Sequence, residues 1–312
     1  MRKLRFVPEG GALVEVTTRT LHGRYLLKPS PQLNEIVVGV LAKAREYSPV
    51  RICALVFMSS HYHLVLHVDD GEQLANFMCY FNSNLAREIA RLYKWPEKIW
   101  GRRYEGILAT DEVEAQIARL RYVLQHGVKE GFFVSPSQWP GAHSVDALLT
   151  GEPLQGVWFD RTRESAANRR GEDFDKYEYA TRLELRLDPL PCWRHLEPEE
   201  VRRRIAEMVE DIEQEAIEEH RRSGTEPKGR EAVLREHPHY RPNRLKKSPA
   251  PSFHAFRRAA ARELREAYNW FEALYREAAD RLRAGDRDVE FPEGSFPPRL
   301  PFVRPGPSLA PG

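Results

Sequence analysis

Cysteine is scarce in this chain. Cys53, Cys79 and Cys192 stand far apart with no CxxC pair, so neither a zinc ribbon nor a disulfide framework is implied. Long apolar runs are missing too. No stretch approaches the roughly 20 residues a membrane-spanning helix needs. The opening Met1-Arg2-Lys3-Leu4-Arg5-Phe6 lacks the apolar core of a signal peptide. These absences predict a soluble, cytoplasmic protein with no membrane partner. An excess of one charge is also lacking: 48 Lys+Arg face 46 Asp+Glu, for a net +2. Residues 1–150 hold 18 basic against 15 acidic side chains, and the remainder 30 against 31. Any nucleic-acid surface must therefore be a local patch rather than a global field.

Against that background, His61-Tyr62-His63 stands out at the end of the apolar run Ile52-Cys53-Ala54-Leu55-Val56-Phe57-Met58. Residues 51–68 read as two adjacent strands. Side chains two apart on a strand share a face, so His61 and His63 project together while Tyr62 points the other way. Two imidazoles side by side on a rigid strand are half of a metal site, or else ordinary polar residues on a half-buried sheet. Further along, Val113, Ile117, Leu120, Val123 and Leu124 form the apolar stripe of a helix that Asp111 can cap and that Gly127 or Gly131 would end. On it Tyr122 and His126 are i and i+4, with Gln125 beside them. Tyr122 is then either core filling or a nucleophile assisted by a metal or base.

The first part reads strand, helix, strand, strand, helix, strand, helix. Its elements are a strand at 12–20, a helix after Pro31 burying Leu33, Ile36, Val37, Val40 and Leu41, and the 51–68 pair. A helix at 71–93, a strand near 103–109 and the Tyr122 helix follow. Short strands interrupted by single helices predict an α+β fold: a ferredoxin-like antiparallel sheet with flanking helices.

Four ordered segments carry a family resemblance. Met58-Ser59-Ser60-His61-Tyr62-His63-Leu64-Val65-Leu66 resembles the His-hydrophobe-His strand of the single-tyrosine HUH transposases, which include the REP-associated tyrosine transposases. Val14 to Arg19 resembles their first strand, and Ile99 to Leu108 the strand before the catalytic helix. Tyr122 to Gly131 with Ser135-Pro136-Ser137-Gln138-Trp139-Pro140 resembles the tyrosine helix and the Trp-containing turn after it. The resemblance covers roughly the first 145 residues. It implies an HUH domain over 1–150 followed by a second region over 151–312.

The resemblance also implies transesterification of single-stranded, hairpin-containing DNA through a 5′-phosphotyrosine on Tyr122. His61 and His63, with His126 or Gln125, would hold a divalent metal, Mg²⁺ or Mn²⁺. The family commonly carries Asn or Gln where this chain has His126. Three imidazoles would suit Mn²⁺ better than Mg²⁺, and activity would then fall with acid near the imidazole pKa of about 6.5. Arg102, Arg103, Arg119 and Arg121 are candidate phosphate contacts, and for Arg119 and Arg121 a solvated helix face is the competing reading. The chain would act as a monomer or homodimer. Two other functions stay open: a hairpin-binding protein that no longer cleaves, and another HUH nuclease such as a replication initiator.

The region after 150 is a different kind of sequence, with Arg/Glu-rich helical runs at 199–210 and 252–284 and a Pro-dense tail from Phe291. Its mainly helical character gives no separate enzyme signature. Between the runs, the segment from Glu236 to Pro249 carries His237 and His239 and reads as a solvated linker, a phosphate-contacting arm or a separate metal site.

Overall fold

Alternating apolar residues let β1 (Ala12–Arg19) lie in the middle of a sheet, and it does. In the computed structural model, which describes residues 4–175, 177–243 and 252–298, helix α1 (Pro31–Tyr47) follows β1. Ser30 caps α1 by accepting from the Leu33 N–H at 3.1 Å, and Pro31 sits at the first turn where its missing N–H costs nothing. The hairpin β2 (Arg51–Met58) and β3 (His61–Val68), helix α2 (Gly71–Tyr93) and strand β4 (Glu105–Ala109) complete the unit. The order β2-β3-β1-β4 with antiparallel pairing throughout is the ferredoxin-like plan predicted from the sequence.

The sheet is covered on both faces. Val14, Val16, Tyr62, Leu64 and Leu66 meet α1 and α2 in one core. Leu13, Val56, Met58 and Val65 meet helix α3 (Val113–Leu124) and later helices in a second. After α4 (Val145–Thr150), a hairpin of β5 (Leu154–Phe159) and β6 (Ala180–Leu185), with α5 (Arg161–Arg170) between them, lies along α1. The approach is close enough that a Cβ on Gly39 would stand 2.1 Å from the Val157 carbonyl oxygen, so only glycine fits there.

Helix α6 (Pro198–Ser223) places Ile205, Met208, Val209 and Ile212 in the second core, and α7 (Gly229–Leu234) follows. Strand β7 (Phe253–His254) then adds a fifth, parallel strand beside β4 before the long helix α8 (Arg258–Arg283). The result is an α+β protein with a five-stranded, mostly antiparallel sheet and a mainly helical second half.

Several details differ from the sequence reading. Helix α3 ends at Leu124 rather than running to Gly127, and Glu112, not Asp111, stands at its N-cap. The Glu112 carboxylate instead accepts from Phe256 N–H, Arg257 N–H and the Arg257 guanidinium, which fastens β7 to the start of α3. Phe256, inside the expected helical run at 252–284, is exposed and precedes α8. The hairpin β5–β6 and strand β7 carried no recognised signal. The basic end of the 236–249 segment and the tail beyond residue 298 lie outside the described residues. Within those residues, no helix is long and apolar enough to cross a membrane.

Candidate metal and tyrosine site

The pleat of β3 sets the geometry. His61 and His63 emerge on the α3 face, with ring centroids 5.3 Å apart. Tyr62 is buried on the opposite face, where its hydroxyl donates to Asn82 Oδ1 at 2.7 Å. Just beyond the cap of α3, His126 leans over the pair, 4.3 Å from the His63 ring and 6.1 Å from His61. A potential ligand atom from each of the three lies within 4.8 Å of the others. Among the described residues, this is the one cluster of three or more His, Cys, Asp or Glu side chains so arranged.

Each ring is oriented by its Nδ1. His63 Nδ1–H donates to Glu15 Oε1 at 2.8 Å. His126 Nδ1–H donates to the Val123 carbonyl at 3.2 Å, and His61 Nδ1 meets Ser60 Oγ at 3.2 Å. That leaves Nε2 of all three for a common ion, with a carboxylate and a carbonyl as outer partners, the usual arrangement around ligating histidines. Burial and repulsion by His63 hold His61 and His126 well below the ordinary imidazole pKa. His61 and His126 are therefore held neutral at neutral pH, as ligands must be. The donor set fits a divalent ion, and three imidazoles favour a borderline metal over Mg²⁺.

Gly127 makes this placement of His126 possible. It adopts φ +90°, and a Cβ there would come 2.9 Å from the Trp139 ring. Trp139 in turn donates its Nε1–H to the Phe57 carbonyl at 3.0 Å and fastens the turn to β2. The predicted helical i, i+4 stack of Tyr122 and His126 is thus met by a turn rather than by regular helix, with ring centroids 5.0 Å apart.

Tyr122 is half-buried at the edge of the cluster, 5.7 Å from the His63 ring. Arg119 lies over one part of its ring at 4.9 Å and Lys129 Nζ at 3.6 Å. Burial and then the Glu15 charge push the phenol pKa up, and Arg119 pulls it back. Burial lowers Lys129 to about 8.

The remaining candidates are scattered. Gln125 caps α3 and lines a cavity of about 990 Å³ against the C-terminal part of α6. Arg121 pairs with Glu215 of α6 at 2.6 Å, and Arg102 pairs with Glu105 at 2.9 Å on the surface. Arg103 lines a small cavity with Arg5 and Phe296, against α8. Arg119 binds the buried Glu15 at 3.0 Å. His237 and His239 face each other at 4.8 Å, but His239 packs on Trp95 and the segment docks through Arg24 and Tyr25.

Sequence reasoning assigned no role to Glu15. Val14-Glu15-Val16 alternates like a strand with one wet face, so nothing local marks the glutamate as buried.

No family model and no curated protein matches this chain. Among solved structures it is similar to a REP-associated tyrosine transposase bound to a REP hairpin. The identity is 16% over 48% of this chain and 85% of that one, with a TM-score of 0.38. It is also similar to a candidate transposase from Deinococcus radiodurans R1, at 17% identity over 38% of this chain and 95% of that one, with a TM-score of 0.29.

Proposed function

We propose that this protein cleaves and rejoins single-stranded, hairpin-containing DNA by transesterification, with Tyr122 as nucleophile and His61, His63 and His126 as ligands of a divalent metal, Mn²⁺ in preference to Mg²⁺. One observation carries the reading: a tyrosine stands at the rim of a three-histidine cluster whose rings are braced from behind. A three-imidazole site without a nucleophile, or a tyrosine without the site, would suggest much less.

A bound divalent ion would supply positive charge for the oxygens of the scissile phosphate. Tyr122 Oη attacks phosphorus, the bond to the 3′ oxygen breaks, and the products are a 5′-phosphotyrosine and a free 3′-OH. Attack by a second 3′-OH on that linkage restores the phenol and joins the strands, so no external energy source is required. The phenol must lose its proton to attack, and the cationic Arg119 at its ring favours that state, against burial and Glu15. His61, less buried than its two partners, leaves the cluster open to a strand from outside. Phosphate contacts for the rest of the DNA come from the exposed side chains of Arg102 and Arg103 in this reading, while Arg119 and Arg121 pair within the protein.

Incubation with an end-labelled single-stranded hairpin and Mn²⁺ tests it. A covalent protein–DNA adduct that disappears in Tyr122→Phe is expected. Hairpin binding without any adduct would instead indicate a binding protein that does not cleave, and nicking confined to a replication origin would indicate an initiator.

A further inference from the structure

The strongest unassigned feature near the site is a charged pair between the sheet and α3. Glu15 is 1% exposed, on the middle strand, yet its two oxygens are divided between two elements. Oε1 accepts from His63 on β3 and Oε2 from Arg119 on α3. A carboxylate taken out of water is costly unless it is paired and hydrogen-bonded, and here both oxygens are engaged. Arg119, one helical turn from Tyr122, also lies against the Tyr122 ring. The chain of contacts therefore runs from metal ligand to carboxylate to guanidinium to nucleophile without a gap.

We infer that Glu15 is a positioning residue that fixes the ring and tautomer of His63 and, through Arg119, sets Tyr122 relative to the metal ligands. It touches neither substrate nor ion. A carboxylate accepting from Nδ1–H leaves Nε2 unprotonated and raises its basicity as a ligand. The same carboxylate holds α3 against β1 at the level of the histidines, so ligand and nucleophile cannot drift apart independently. Arg119 is then a structural cation and not a phosphate contact. This rests on the proposed function for its second half, but the control of His63 stands without DNA.

The test uses the full chain. In the metal-free protein, nitrogen NMR of the imidazoles should show His63 in the Nδ1–H tautomer. Glu15→Gln should blur that preference and weaken Mn²⁺ binding by about 10- to 100-fold, while leaving hairpin binding near wild type. Arg119→Met should behave differently: tautomer and Mn²⁺ affinity retained, and adduct formation slowed because Tyr122 loses its register. Because removing one partner of a buried pair can unfold a protein, Arg119→Met also stands as the independent arm if Glu15→Gln does not fold. An unchanged His63 tautomer and Mn²⁺ affinity in folded Glu15→Gln overturns the inference, as does an Arg119→Met protein with wild-type adduct formation. Failure of wild-type protein to form any adduct counts against the proposed function but leaves the His63 measurements meaningful.

Discussion

Strand β3 and helix α6 are both rich in polar side chains, and they use them in opposite ways. On β3, His61, His63 and His67 alternate with Tyr62, Leu64 and Leu66, and the face carrying the histidines is covered by a second layer. On α6, Arg203 pairs with the partly exposed Glu200 and with Glu207, Arg221 with Glu218 and Arg222 with Glu219 on the solvent side. Exposed pairs of this kind contribute about 0–1 kcal/mol each. Polar groups buried on β3 are destabilising unless every one is partnered, so their presence points to chemistry. The difference separates a covered polar cluster, where the proposed chemistry is placed, from a solvated helix face.

The comparison breaks most sharply at His63. His63→Ala is expected to abolish adduct formation and metal binding while hairpin affinity stays within several-fold of wild type. Ligands act in the chemical step, whereas affinity for nucleic acid comes mostly from phosphate and stacking contacts elsewhere. Parallel loss of binding and cleavage, measured by gel shift and adduct assay on one preparation, would count against the metal site.

His126 sharpens it. His126→Ala should cost far more activity than His126→Gln, and the Gln variant should move the metal preference from Mn²⁺ toward Mg²⁺, which favours oxygen donors. Protonation of His61 and His126 should not limit Mn²⁺ binding near pH 6.5, since burial holds both well below the ordinary imidazole pKa. Equal behaviour of Ala and Gln, with metal affinity kept, would reduce His126 to packing beside Tyr122.

Much of the first half was legible because alternation and helical spacing are local signals. The His61/His63 pair, the opposed Tyr62 and the element order through α3 all follow from periods of 2 and 3.6. Glu15 was not legible, because its partner Arg119 comes from α3, far along the chain. The same reason hides β7: two residues pair in parallel with Leu108 and Ala109 across a long stretch of sequence, and two residues carry no period. Phe256 was misplaced for a related cause. It lies within the helical run expected at 252–284, but Glu112 holds its N–H in a segment before the helix begins.

Acid reads the same contrast through stability. His143, in the core beside β2, accepts from the Val145 N–H through Nδ1 at 3.0 Å, which requires that nitrogen to be unprotonated. Burial holds it at about 4, and burial also lowers His67 to about 4. Unfolded histidine titrates near 6.5, so between 6.5 and 4 the unfolded chain binds protons that the folded chain does not, and stability falls as pH falls. At about 1.4 kcal/mol per pH unit, His143 alone accounts for on the order of 3 kcal/mol across that window. Urea denaturation at neutral pH and near pH 4 should show this loss, and His143→Gln should flatten it. A pH-independent midpoint would mean that these rings are not held neutral.

The smallest effect is expected on α6, and its smallness is informative. Arg203 meets Glu200 at 2.8 Å and also pairs with Glu207, yet its side chain is 59% exposed. Two flexible side chains held in one geometry in water gain little, because Coulomb attraction is screened and rotamer freedom is lost. Arg203→Ala should therefore shift unfolding stability by less than about 1 kcal/mol, with adduct formation and Mn²⁺ affinity unchanged. The shift should shrink further in high salt, which a denaturation series with added NaCl would register. A loss of several kcal/mol, or one indifferent to salt, would show that the pairs on α6 are coupled to the buried stripe of Ile205, Met208, Val209 and Ile212 rather than lying idle on its outer face.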